Sequence, residues 1–198
     1  MMPILNLAAG ASSRMRGPDK LLMEVRGQPL LRDRVTMALQ VSNDVRVALP
    51  AAPHPRHACV APPAQKVEVP DAADGMSASL KRLIASLTDK SDLAMILLAD
   101  LPDLTADDLR HVMHAAKETP QARIWRGATE DGKPGHPLIL HADLWPAFAA
   151  LNGDTGGQQF MAQHLDQTQL VPLPGHRARR DLDTPEDWAA WRARSAND

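Results

Sequence analysis

The stretch LAAGASSRMRGPDK, from Leu7 to Lys20, sets a run of small residues ahead of two well-spaced cations. Ala8, Ala9, Gly10, Ala11, Ser12 and Ser13 keep side-chain bulk low. A backbone built this way can approach a base or a phosphate closely, with its N–H groups facing an anion. Arg14 and Lys20 supply fixed positive charge, and Gly17-Pro18 bends the chain so that Lys20 can return toward the same place. That order of shapes and charges suits a triphosphate cradle. It is not a P-loop, which ends in Gly-Lys-Ser/Thr, nor a dinucleotide fingerprint, which reads G-x-G-x-x-G. The competing description is a strand-to-helix connection with two solvated cations.

Two acidic positions complement the cradle. In LLADLPDL, Asp100 follows a strongly apolar run. A carboxylate just past a buried strand is placed to hold Mg²⁺, a hard ion that takes carboxylate, water and phosphate oxygens; its alternative is a turn aspartate. Asp103 reads as a structural helix cap. In RRDLDTPED, Asp181 and Asp183 are two apart, so in an extended segment they face the same way and one of them can complete a metal site. The DTPED run also reads as the cap and acidic first turn of a final helix, which leaves Asp183 unexplained.

These residues must be held by an alternating scaffold. PILNLAA, DVRVAL, QKVEV, LAMILLAD, ARIWR, HPLIL and TQLVPL read as strands. LAMILLAD, the most apolar, is expected to be central and buried on both faces. GQPLLRDRVTMALQ reads as a turn and then a helix with Pro29 near its start. GMSASLKRLIASL carries Met76, Leu80, Leu83, Ile84 and Leu87 at helical spacing. TADDLRHVMHAAK, TGGQQFMAQHL and TPEDWAAWRAR are further helices, and Pro146 is expected to divide or kink ADLWPAFAAL. Between Pro50 and Pro63 the density of proline predicts a loop rather than an element. Strands alternating with helices imply an α/β sandwich on a mostly parallel sheet, in which ligands sit beyond the carboxyl ends of the strands.

Composition narrows the function. The chain has 198 residues, 44% hydrophobic and 23% charged, with a net charge of −2. That is an ordinary globular composition with no general pull toward nucleic acid or anionic membrane. No apolar run approaches the roughly 20 residues of a membrane span. The single cysteine, Cys59, excludes an internal disulfide. With no basic leader ahead of MMPILNLAAG, the expected location is the cytoplasm.

LAAGASSRMRGPDKLL followed by GQPLL resembles the signature of the molybdenum-cofactor nucleotidyltransferases, the MobA-like NTP transferases. DGMSASL, LLADLPDLT, GKPGHPLIL, LNGDTGGQQFM and DLDTPEDW follow in that family's order, so the resemblance spans nearly the whole chain. It implies one three-layer α/β/α Rossmann-like domain over residues 1–198, binding a nucleoside triphosphate and Mg²⁺ (or Mn²⁺ in its place). Such an enzyme would move the nucleoside monophosphate to the phosphate of a pterin cofactor and release pyrophosphate. By the same resemblance, Leu7, Ala8, Ala9 and Gly10 would line the base and ribose. Ser77 and Asp74 would contact the nucleotide, Arg14 and Lys20 would grip phosphates, and Asp100 and Asp183 would hold the metal. Gly135 and His136, with the GDTGG segment, would lie on the acceptor side. A molybdoenzyme or its chaperone would be a further partner.

Guanylyl relatives resemble Leu-Ala-Gly-Gly where this chain has Leu-Ala-Ala-Gly, the cytidylyl pattern. The Ala9 methyl suits a pyrimidine, so the expected nucleotide is CTP. The alternatives are a guanylyltransferase, a sugar- or polyol-phosphate nucleotidyltransferase, or a non-catalytic nucleotide-binding chaperone for a molybdoenzyme. One departure stands out: relatives commonly read Arg-Met-Gly where this chain has Arg14-Met15-Arg16. If that backbone needs a positive φ, Arg16 is strained unless Gly17 absorbs the turn.

Overall fold

A computed structural model describes residues 2–87, 91–151 and 156–195. Among the described residues, nine strands and six helices follow in chain order: β1 (Ile4–Leu7), β2 (Glu24–Val25), β3 (Gln28–Pro29), α1 (Leu30–Leu39), β4 (Val45–Pro50), β5 (Gln65–Val69), α2 (Met76–Ser86), β6 (Leu93–Leu98), α3 (Ala106–Glu118), β7 (Ile124–Ala128), β8 (Pro134–His141), α4 (Trp145–Ala149), α5 (Gly156–Gln163), β9 (Thr168–Pro172) and α6 (Pro185–Ser195). The main sheet has the order β5-β4-β1-β6-β8-β7-β9, with β6 in the middle. Only β8 runs against its neighbours, pairing antiparallel with both β6 and β7. β2 and β3 form a separate small ribbon.

Period-two alternation splits the strands between two cores. Ile4, Val45, Val47, Met95 and Leu97 pack with Leu30, Val35, Leu109, Val112, Trp188 and Trp191, so α1, α3 and α6 cover one face. Leu5, Ala48, Ala94, Ile96 and Leu138 pack with Leu80, Leu83, Phe148 and Phe160, so α2, α4 and α5 cover the other. The result is the expected three-layer α/β/α arrangement. No helix among the described residues is long and apolar enough to cross a membrane.

The helix starts follow their sequences. α3 opens on a capping box, in which Thr105 and Asp108 satisfy each other's backbone N–H groups. α6 opens on the matching Thr184–Asp187 pair. Pro146 lies at the start of α4, where its missing N–H costs nothing, and the helical stretch is divided just ahead of it.

Three expectations need correction. Met76 is 49% exposed rather than part of the apolar face of α2, because it sits in the first turn, beyond the reach of the sheet. Asp103 does not cap α3, since Thr105 has that place; it accepts instead from Arg180 (2.6 Å) and the indole of Trp191 (2.7 Å). The Pro50–Pro63 stretch is not merely a loop: Pro55–Cys59 forms a 3₁₀ turn whose Arg56 is buried. The GDT of GDTGG lies outside the described residues.

Candidate active site

β1, β4, β6, β7 and β9 all finish at one rim of the sheet, and β8 begins there, since Ala128 at the end of β7 pairs with Pro134. The chain after β1 runs along this rim as the small-residue loop. Ser12 and Arg16 both take left-handed backbone, with φ of 52° and 56°, and Gly17 follows at 144°. Arg16 therefore does carry the positive φ that a glycine would carry at no steric cost. Its side chain reaches Glu186 of α6 with two contacts of 2.6 and 2.7 Å rather than being simply solvated.

One guanidinium holds this loop. Arg56 is 2% exposed. It donates to the carbonyls of Ala8 and Gly10 at 2.7 Å, to Ser12 Oγ at 3.0 Å, and to both oxygens of Asp19 at 2.7 Å. Asp19 in turn accepts from the Leu21 N–H at 3.0 Å and starts the turn that carries Lys20. The rigid fork of a guanidinium can satisfy the beginning and end of a loop together, which an ammonium cannot do. Burial alone would raise the Asp19 carboxyl; Arg56, Leu21 and Ser12 outweigh it and hold the pKa below the usual value.

Held in this way, Lys20 enters a charge cluster. Its Nζ lies 2.5 Å from Asp100 Oδ2 and 2.5 Å from Asp183 Oδ1. Arg14 pairs with the other oxygen of Asp183. Burial would lower the Lys20 pKa, but its pairing with Asp100 and then Asp183 raises it above the ordinary value, so it stays charged. Asp181 is an exposed residue, yet its carboxyl is crowded: desolvation, and then the charges of Asp183 and Asp100, push its pKa up. Asp100 keeps Oδ1 buried without a hydrogen-bond partner among the described residues.

Basic side chains fix the segment after Asp100. Arg34, buried in α1, donates to the carbonyls of Leu101 (3.0 Å) and Leu104 (2.5 Å), and Arg26 to that of Pro102 (2.9 Å). The Leu182 N–H donates to the carbonyl of Asp100 at 3.1 Å, which brings the 181–183 segment alongside.

The other expected residues lie along the same rim. Ala8 and Ala9 bury their methyls in opposite cores, Ala9 at 4% exposure, so a ligand at this point meets mainly main chain. Gly10 is exposed, and open space surrounds the position a Cβ would take. Leu7 is partly exposed, Ser77 is buried in the first turn of α2, and Asp74 is exposed just ahead of it. On the acceptor side, Gly135 is buried so tightly that a Cβ would stand 2.1 Å from the Ala178 carbonyl. The His136 N–H donates to that same carbonyl at 2.8 Å. Nδ1 of His136 is buried without a hydrogen-bond partner among the described residues. Desolvation, with Arg126 nearby, pulls the imidazole pKa down to about 4, against the smaller opposing effects of Asp100 and the Ile96 backbone.

Sequence reading missed Arg56, Arg34 and Arg26. The signal for Arg56 was the histidine-flanked HPRH inside a proline-rich run. Nothing in it indicated that the guanidinium turns inward.

Among the described residues no group of three or more His, Cys, Asp or Glu side chains could hold a metal. Two carboxylates facing one cation, one of them with an unpartnered buried oxygen, nevertheless fit an ion such as Mg²⁺, which uses one or two carboxylates and takes its remaining ligands from water and phosphate.

Comparison with known proteins agrees with this fold. Residues 4–168 match the model of the MobA-like NTP transferase domain. The chain is 27% identical over 189 residues to nicotine blue oxidoreductase of Paenarthrobacter nicotinovorans, covering 91% of each. It is 27% identical over 187 residues to a probable molybdenum cofactor guanylyltransferase of Nostoc sp., covering 92% of this chain and 86% of that one. Among solved structures, Rv0371c from Mycobacterium tuberculosis H37Rv superposes with a TM-score of 0.82 at 24% identity over 96% of each chain. The same protein in complex with manganese gives 0.76 at 23% identity, again over 96% of each. CMP:2-keto-3-deoxy-manno-octonic acid synthetase complexed with CTP gives 0.78 at 16% identity, over 99% of this chain and 98% of that one.

Proposed function

The chain belongs to the MobA-like NTP transferase family, and from that premise we propose that it moves CMP from CTP to the phosphate of a molybdopterin-type acceptor and releases pyrophosphate. The observation that carries this reading is the position of Lys20 Nζ, 2.5 Å from each of two carboxylates at the rim where the small-residue loop leaves β1.

Nucleotidyl transfer asks the protein mainly for alignment and charge neutralisation. The main chain from Leu7 to Gly10 receives the base and ribose at close approach, with Ser77 and Asp74 at the start of α2 beside it. Arg14 and Lys20 face the triphosphate and stabilise the charge that grows on the α-phosphate and the departing pyrophosphate. Asp100 and Asp183 would hold Mg²⁺, or Mn²⁺ in its place, and the ion would supply Lewis-acid neutralisation of the phosphate oxygens. The acceptor's phosphate is already ionised near neutral pH and needs no general base. His136, neutral at that pH, would line the acceptor side as a buried, uncharged wall beside Gly135.

CTP is favoured over GTP by the likeness of Leu7-Ala8-Ala9-Gly10 to the cytidylyl pattern; the Ala9 methyl, buried in the core, would act on the base only through the path of the loop main chain. A molybdoenzyme or its chaperone would take the product, in the cytoplasm. The test is pyrophosphate release with CTP and then GTP, in the presence of Mg²⁺, on a phosphorylated pterin and on sugar and polyol phosphates. Release with CTP and the pterin is expected. Release only with a sugar or polyol phosphate would replace the acceptor. Nucleotide binding without any release would replace catalysis by a carrier role.

A further inference from the structure

Beyond the Lys20 cluster, on the β7–β9 side of the same rim, lies a cleft of about 560 Å³ lined by Thr129, Lys133, His176, Arg179 and Arg180. Its walls are the turn between β7 and β8 and the segment between β9 and Asp181. Two of its cations are already matched: Lys133 pairs with Asp131 at 2.8 Å, and Arg180 with Asp103 at 2.6 Å. Arg179 and His176 have no side-chain hydrogen bond or ion pair among the described residues. A further guanidinium, Arg126 of β7, stands behind Arg179. It is half-buried, donates through Nε to the Gly135 carbonyl at 2.9 Å, and feels the Arg179 charge. The nearest remaining carboxylate on the turn, Glu130, is turned to the Gly175 N–H at 3.2 Å.

Two neighbouring guanidiniums without a facing carboxylate repel each other, and the fold keeps them together at a cost. An oxyanion accepting from Arg179 would relieve it, and Arg presents a planar fork that matches phosphate and carboxylate oxygens. The cleft also shares parts with the reacting side. Gly135 packs on Ala178 and Arg179, and the chain runs from Arg180 directly to Asp181 and Asp183.

We propose that this cleft binds an oxyanionic group of the acceptor other than the phosphate that reacts, through Arg179, Lys133 and His176, with Arg126 adding positive charge behind Arg179. The assignment to the acceptor rests on the transferase reading above; the anion site does not. An acceptor bound in this way is anchored at two points, its reactive phosphate at Lys20 and, in the cleft, a second oxyanionic group, which on a metal-loaded pterin would be the oxygens carried by the molybdenum. A neutral molecule with a single phosphate would lack the second anchor.

The experiment titrates inorganic phosphate into the protein saturated with Mg²⁺ and a non-hydrolysable CTP analogue, following the His176 ring signals by NMR. Binding in the wild type is expected, weakened at least tenfold in Arg179→Ala, partly restored in Arg179→Lys and retained in Lys20→Ala. No binding to the wild type, or equal binding to Arg179→Ala with its thermal unfolding unchanged, overturns the site. In turnover assays phosphate is expected to raise the acceptor KM and leave the CTP KM in place. Phosphate that binds the cleft without competing with the acceptor overturns the acceptor assignment. A protein that binds phosphate here but never releases pyrophosphate defeats the transferase reading and leaves the anion site standing.

Discussion

Lys20 Nζ and Asp100 Oδ2 stand 2.5 Å apart across 80 positions of sequence, and the same nitrogen meets Asp183 across 163. The first contact joins the loop after β1 to the end of β6, and the second adds the segment before α6. Each side chain comes from a different connection at one rim of the sheet, the position that open α/β folds give to their ligands. The ammonium lies between two mutually repelling carboxylates and holds them close.

Removing either partner is therefore expected to disable turnover while the fold persists. Lys20→Ala and Asp100→Ala should each lose on the order of a hundredfold or more in the rate of pyrophosphate release, the usual cost of deleting one preorganised electrostatic group. Circular dichroism would confirm the fold. Near-normal rates in either variant would take these residues out of the chemistry.

Arg56 acts through the loop rather than on the substrate. Arg56→Ala should destabilise the protein by about 3–5 kcal/mol, the range for breaking a buried charge pair from one side. Arg56→Lys keeps the charge and loses the fork. Its expected signature is a raised KM for the nucleotide with a smaller change in kcat, together with faster amide exchange over residues 8–20. Unchanged exchange in that stretch would refute the clamp.

Two glycines at the rim should separate binding from folding. Gly10→Ala meets nothing within 4 Å, so the melting temperature should hold while the nucleotide KM rises. Gly135→Ala puts a methyl 2.1 Å from a backbone carbonyl. Overpacking of this kind costs about 1–3 kcal/mol or more, and here it also pushes the 176–183 segment, with Asp183, off the sheet. Thermal melts and steady-state kinetics on the pair decide this.

Ala9→Gly tests nucleotide choice. Removing this buried methyl should relax the path of the main chain beside the base and shift the ratio of CTP to GTP turnover toward GTP. An unchanged ratio would leave discrimination to the main chain and the start of α2.

Acid should weaken the fold through His136. Its folded pKa of about 4 lies below the ordinary 6.5. Between those values the unfolded chain binds a proton that the native protein does not, so stability is complete above pH 6.5 and falls as the pH drops toward 4. The loss levels off below the folded pKa, at up to about 3 kcal/mol for this group. Asp19 and Asp33, whose pKa values are lowered mainly through Arg56 and Arg26 against the effect of burial, lose their contribution at still lower pH. His136→Gln should flatten the pH dependence of the melting temperature between 4 and 6.5; a wild-type curve already flat there would contradict the assignment.

Much of the molecule was legible in the order of its residues. Alternating apolar positions marked the strands, Thr105 and Thr184 marked helix starts, and the small residues before Arg14 and Lys20 marked the rim. These features are local: a strand's faces, a cap or a low-bulk turn depends on neighbours a few positions away. The tertiary structure decided which distant charges meet. Arg56 reads as one more cation in a proline-rich run until the sheet brings the end of β4 beside the end of β1, where four loop groups become its partners. Asp183 and Arg179 are two charges in one tail, yet the segment turns one toward Lys20 and the other into the basic cleft. Coulomb attraction and hydrogen bonding act over a few ångströms, and only the folded chain sets those distances.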